Sequence, residues 1–171
     1  MTIWTIGHST RSLEELIALL NEHDIERLAD IRRYPGSRRH PHFSREALER
    51  DFPLEYIHLV DLGGRRKPLP DSRNTALRNE QFRAYADHLP SAEARKAIET
   101  LLMGGKRTAI MCAEAVPWRC HRNLLADELV RRGVDVVHIL GPGQSRPHVL
   151  NTLARVEDDR IVYPEPQQLS L

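Results

Sequence analysis

Five short, β-prone apolar runs separated by helix-patterned segments constrain this chain more than any other feature. The runs are Ile3 to Ile6, residues 25–31 (IERLADI), Tyr56 to Leu62, Thr108 to Cys112 and Val134 to Leu140. Behind the first, Ser12-x-x-Glu15 matches a capping box, in which side chains at both ends satisfy free backbone amides. Leu13, Leu16, Ile17 and Leu20 then recur at the spacing of one helix face. Ser44 is placed to cap a short helix reaching about Asp51. Phe82, Tyr85, Ala86 and Leu89 mark another helix, and Ser91 to Met103 a further one closed by Gly104. Leu124, Leu125, Glu128 and Leu129 mark a helix ending at Arg131-Arg132-Gly133, and a last helix is expected around Pro147 to Val156. An extended tail follows from about residue 157 and includes IVYPEP, residues 161–166. Strands this short, alternating with helices, need crossover connections and therefore pair in parallel. The expected fold is α/β: residues 1–171 as a single three-layer domain, with a mostly parallel open sheet of about five strands and helices on both faces. A β/α barrel would need more units than the sequence supplies.

Charge and composition exclude some classes of function. With 25 Lys and Arg against 24 Asp and Glu, no global field calls for nucleic acid or a membrane surface as partner. No apolar run approaches the eighteen or so residues of a membrane span. The start, MTIWTIGHST, has no basic segment leading into an apolar one, so no signal peptide is expected and the cytoplasm is the default location. A reducing compartment argues against a structural disulfide between Cys112 and Cys120, while a transient one stays open.

In parallel α/β sheets, ligands bind outside the carboxyl ends of the strands. The residues leaving those ends are Gly7-His8-Ser9, Asp30 to Arg32, Asp61-Gly63-Gly64, Cys112 to Glu114 and Gly141-Pro142-Gly143. A histidine, a thiol, carboxylates and arginines on one rim form the inventory of a site. The stretches TIGHSTRSLEELIALL, ADIRRYPGSRRHPHFS, YIHLVDLGGRR and MCAE…PWRCHR with VVHI after it occur here in order. From Ile6 to about Pro164, this wording resembles the domain of unknown function 488 family. The resemblance implies one α/β domain and points to His8, Ser9, Asp30, Arg32, Arg38, Gly63, Gly64, Cys112, Glu114, Cys120, His121 and Arg122. It assigns none of them a role.

The block MCAEAVPWRCHR admits three chemical readings. An anion site comes first, because Arg32, Arg33, Arg38, Arg39, His40, His42 and Arg45 crowd one segment and Arg65, Arg66 and Lys67 follow the third strand. Ser9, Arg32, Arg38, Arg39 and Arg122 are its candidate ligands for phosphate, on a nucleotide or a nucleic-acid backbone. Tyr34, Phe43 and Trp118 are placed to stack on a base. A thiol enzyme comes next, with Cys112 at a strand end near a helix start and the arginines Arg119 and Arg122. That design is similar to rhodaneses and cysteine phosphatases, although Arg119 stands seven positions after Cys112 where the phosphatases have six. Cys120 is then placed to resolve an oxidised Cys112. Zinc or iron on Cys112, Cys120, His121 and His8 ranks last, since C-x7-C-H is no usual metal spacing, and no cofactor is expected. Gly63-Gly64 lacks the spaced glycines of a dinucleotide fingerprint.

Asp30 and Glu114 are either a general acid–base pair or partners of Arg32 and Arg122 that fix the loops. His58 and His138, within apolar strands, read as hydrogen-bonded core residues. The expected protein is thus a cytoplasmic enzyme of undetermined reaction class that binds a phosphate-bearing ligand, with His8, Asp30, Cys112, Glu114, Cys120 and His121 as candidate catalytic residues. The alternatives are a rhodanese-like thiol transferase and a non-catalytic nucleic-acid or protein-binding module.

Overall fold

A computed structural model describes residues 1–36 and 38–166; Ser37 and the end of the expected tail, residues 167–171, lie outside the described residues. The chain runs β1 (Thr2–Gly7), α1 (Leu13–Asn21), β2 (Arg27–Asp30), α2 (Arg45–Asp51), β3 (Glu55–His58), α3 (Glu80–His88) and α4 (Ala92–Leu102). It continues with β4 (Thr108–Cys112), α5 (Arg122–Arg131), β5 (Asp135–Gly141), β6 (Gln144–Pro147), β7 (Arg155–Glu157) and β8 (Arg160–Val162). Strands β3-β2-β4-β1-β5 are parallel, and β6 extends the sheet antiparallel to β5.

Local chemistry starts the helices where the sequence places them. Ser12 and Glu15 form the reciprocal capping box of α1, and Ser44 caps α2 through the Ala47 amide. Asn79 and Ser91 do the same for α3 and α4. Each such cap stabilises its helix by about 1 kcal/mol. One face of the sheet packs Ile3, Ala29, Ile31 and Ile110 against Tyr85, Ile98, Leu101 and Leu125 of α3, α4 and α5. The other packs Trp4, Ile6, Leu28 and Met111 against Leu16, Leu20 and Leu48 of α1 and α2. These are the three expected layers. Among the described residues, no helix is long and apolar enough to cross a membrane.

Three details differ from the sequence reading. The sheet has a sixth strand, β6. Residues 147–156 form no helix: Gly143, at φ 64°, closes a tight turn that folds Gln144–Pro147 back along β5. Val149, Leu150, Leu153 and Val156, whose spacing mimics a helix face, are exposed. The third strand stops at His58, and Val60–Leu62 is a single 3-10 turn. The tail forms the β7–β8 hairpin before running on as irregular chain to residue 166.

The topology decides where a ligand can sit. Helix α5, leaving β4, packs on one face of the sheet, whereas α1 and α2, leaving the neighbouring strands β1 and β2, pack on the other. Chains departing to opposite sides open a crevice at the carboxyl ends of these strands.

Candidate functional site

Strands β1, β2 and β4 end almost level, with Gly7 opposite Cys112 and Asp30 opposite Met111. The departing loops stay tied: His8 N–H donates to the Cys112 carbonyl (2.9 Å), Ser9 N–H to that of Ala113 (2.9 Å), and Ile31 N–H to that of Met111 (3.0 Å). The loop after Cys112 then crosses directly over Gly7. A Cβ at Gly7 would lie 1.7 Å from the Glu114 carbonyl oxygen, so only glycine permits the crossing.

Arg122, the first residue of α5, reaches back beneath this loop and is fully buried. Its Nη1 donates to the Ile6 carbonyl (3.2 Å), the Glu114 carbonyl (2.6 Å) and Cys112 Sγ (2.7 Å), and its Nη2 donates to the Ala115 carbonyl (2.9 Å). Three neutral carbonyls do not neutralise a guanidinium, and an uncompensated buried charge costs several kcal/mol. The acceptor able to carry a balancing charge is the Cys112 sulfur. Cys120 Sγ lies 2.7 Å from that sulfur, and both cysteines are free.

Burial would raise the Cys112 pKa. The hydrogen bond from Cys120, the charge of Arg122 and the N–H groups around the sulfur outweigh it and bring the thiol down to about 7. Cys120 moves the opposite way: donating to the Cys112 sulfur, its burial and the nearby thiolate all keep it protonated. Above about pH 7 the pair therefore holds one proton between two sulfurs, on the Cys120 side. His121 follows, with Nδ1 3.7 Å from Cys120 Sγ and its ring edge-on to Tyr85 at 4.7 Å. Burial, then the charge of Arg122, lower its pKa to about 4, so the ring is neutral. Its Nε2 is buried without a hydrogen-bond partner among the described residues.

Asp30, Arg32 and His8 form a closed brace beside the thiols. Arg32 grips Asp30 bidentately, Nε to Oδ1 at 2.9 Å and Nη2 to Oδ2 at 2.7 Å, and Tyr56 donates to Oδ2 at 2.6 Å. Arg32 Nη1 points at His8 Nε2 (3.3 Å), while His8 Nδ1 faces the Ser9 carbonyl (2.9 Å). A guanidinium only donates and a carbonyl only accepts, so the proton of neutral His8 sits on Nδ1. Burial, reinforced by Arg32, lowers the His8 pKa to about 4. The ring also stacks on buried Phe43, 4.6 Å away.

Outside the thiols opens a cleft of about 380 Å³. Cys112, Ala113, Glu114, Arg119, Cys120 and His121 line it, together with Arg32, Arg33, Tyr34, Gly36, Gly64 and Arg65 and with Gln81 and Phe82 of α3. Of the candidates read from sequence, Cys112, Glu114, Cys120, His121 and Arg32 therefore line one cleft. His8, Asp30, Ser9 and Arg122 stand behind it in the brace and under the loop. Arg38 and Arg39 are exposed and are not part of the lining. The arginines at the mouth are Arg33, Arg65 and Arg119, and Tyr34 sits against the first two at 5.6 and 5.8 Å. Trp118 is half exposed and carries Arg146 on its ring. Gln81 and Phe82 carried no site signal, because Phe82 falls on the apolar stripe of its helix. His58 Nε2 donates to the Arg32 carbonyl (2.7 Å) and His138 bonds to Thr5 (2.7 Å), so both are hydrogen-bonded as expected, but only His138 lies in the core, His58 being half-buried on the edge strand β3. Among the described residues, no three His, Cys, Asp or Glu side chains gather as metal ligands.

The family model described as Domain of unknown function DUF488 matches residues 12–129, more than half of the chain, and takes in every cleft residue. No curated protein and no solved structure matches the chain. The thiol loop and the arginines that line the cleft with it all fall inside the matched stretch, and the protein belongs to the DUF488 family.

Proposed function

We propose that this protein is an enzyme whose Cys112 thiolate is the nucleophile toward an anionic substrate held in the arginine-rimmed cleft. One observation carries the reading: Cys112 Sγ lies 2.7 Å from a fully buried guanidinium whose other acceptors are neutral carbonyls. A thiolate is both the nucleophilic form of cysteine and the form this environment favours. Acid–base chemistry at the brace has less support, since both oxygens of Asp30 and both nitrogens of His8 are already engaged. Carboxylate and phosphate fit Arg33, Arg65 and Arg119 alike. Nucleic-acid binding by the exposed stretch around Arg38 and Arg39 would be a separate property, not a part of the thiol chemistry.

The test is alkylation of Cys112 followed against pH. A midpoint near 7 is expected with iodoacetamide; a midpoint at or above the free-thiol value of about 8.5 would overturn the reading. Iodoacetate, which carries a carboxylate, should be preferred over neutral iodoacetamide. Arg33→Gln combined with Arg65→Gln should cut that preference by about threefold to tenfold, the range for partly exposed charge pairs.

A further inference from the structure

We infer that Cys120 is a resolving thiol, and that the cleft takes an organic disulfide bearing anionic groups, which the cysteine pair reduces by two electrons. The inference rests on Cys112 being the nucleophile and specifies what it attacks.

The position of Cys120 narrows the chemistry. Its sulfur touches that of Cys112 at 2.7 Å, and a disulfide of about 2.05 Å needs only a small approach from there. Both residues stand on held backbone. Cys112 is the last residue of β4, with its carbonyl bound by His8, and the Cys120 amide donates to the Pro117 carbonyl at 3.0 Å. Any adduct that leaves Cys112 bonded to a sulfur or oxygen leaving group is therefore exposed to immediate attack by Cys120. A thioester or thioether on Cys112 offers no such bond, and for those chemistries the second thiol would be idle. The arrangement selects an electrophile whose reacting atom is a chalcogen.

The cleft narrows it further. A peroxide molecule would use a small fraction of about 380 Å³ and has no charge for Arg33, Arg65 and Arg119 to hold. The space suits an organic molecule with carboxylate or phosphate groups toward those arginines and an apolar stretch along Phe82 and Tyr34.

The steps balance. Cys112–S⁻ attacks one sulfur of RS–SR′, forming Cys112–S–S–R and releasing R′S⁻. Cys120, no longer facing a thiolate, gives up its proton and attacks the Cys112 sulfur as a thiolate, forming the Cys112–Cys120 disulfide; the electron pair of the broken bond leaves with RS, which takes up that proton as RSH. His121 Nδ1, 3.7 Å from Cys120 Sγ, is the nearest ring nitrogen to carry that proton. The substrate gains two electrons and the protein loses them. An external dithiol returns the pair to its starting state by the same exchange.

The experiment offers the reduced full chain three oxidants separately: glutathione disulfide, which carries carboxylates; cystamine, a cationic disulfide; and hydrogen peroxide. Glutathione disulfide should yield two glutathione thiols per chain and a protein lighter by two hydrogens, with Cys112 and Cys120 linked in peptide maps. Cystamine should react about tenfold more slowly, from charge repulsion at the arginine rim. Cys120→Ser and Cys120→Ala should both stop at a single glutathione on Cys112. If the wild-type chain also stops there, Cys120 does not resolve and the inference fails, while a Cys112 alkylation midpoint near 7 leaves the underlying proposal standing. Equal rates with cystamine overturn the anionic substrate, and faster reaction with peroxide overturns the disulfide. A Cys112 that alkylates only as a free thiol removes the proposal beneath both.

Discussion

At the scale of single residues, ionisation of Cys112 is a contest between burial, which opposes a thiolate, and the donors that Cys120 and Arg122 aim at it. Removing one donor should therefore let burial win. Cys120→Ala is expected to raise the Cys112 alkylation midpoint from near 7 by one unit or more, about 1.4 kcal/mol per unit, while Cys120→Ser, which keeps an O–H donor, should raise it less. Both thiols were legible in sequence as parts of a strand-to-helix loop, and so was their setting near a helix start. Arg122 was legible as a cation near the thiol, but its burial was not. Read both as a ligand for an anion and as a charge beside the thiol, it turns fully inward, because the loop over Gly7 presents two carbonyls and a sulfur to it. That choice depends on how the loop closes, which spacing does not encode. Arg38 and Arg39 show the reverse: a dense basic stretch marks a charged surface without saying which members face a cleft.

At the scale of elements, the site is an agreement among three strand ends. Gly7 is where that agreement is tightest, since the loop carrying Glu114 has no room for one more carbon. Gly7→Ala should displace the loop, cost about 1–3 kcal/mol as overpacking does, and slow Cys112 alkylation at pH 7 because Arg122 loses its hold on the loop. Denaturant melts and alkylation rates on the same variant check both effects. The helices beginning at Ser12, Ser44 and Ser91 were readable because a cap is a local hydrogen bond, visible in a few residues. The β5–β6 hairpin was not readable. Its partner strand is chosen by a turn at Gly143, and Val149, Leu150, Leu153 and Val156, which follow, lie exposed.

At the scale of the whole molecule, four histidines share one electrostatic condition. Burial chiefly, with nearby positive or imidazole groups, lowers His8 and His121 to about 4, His138 to about 3, and His88 below the ordinary value. An unfolded chain regains ordinary histidines near 6.5, so between that value and about 4 it binds more protons than the folded chain. Stability must then fall as pH falls, with about three protons taken up on unfolding near pH 5 by His8, His121 and His138, and His88 adding in the same direction. Melting temperature measured from pH 7 to pH 4 should drop steadily, and His138→Gln should flatten the drop. His138 heads a buried chain of contacts: Thr5 to His138, His138 to His148, His148 to Asp127, and Asp127 to Tyr163. This chain pins the segment after β6 to α5. The sheet order carries a consequence for relatedness. The family match begins at residue 12, yet β1, residues 2–7, lies between β4 and β5 and hydrogen-bonds to both. The matched stretch is therefore not a self-sufficient folding unit: excised, it would keep β3, β2 and β4 but lose β1, β5 and β6, and the cysteine loop would have no Gly7 to lie across.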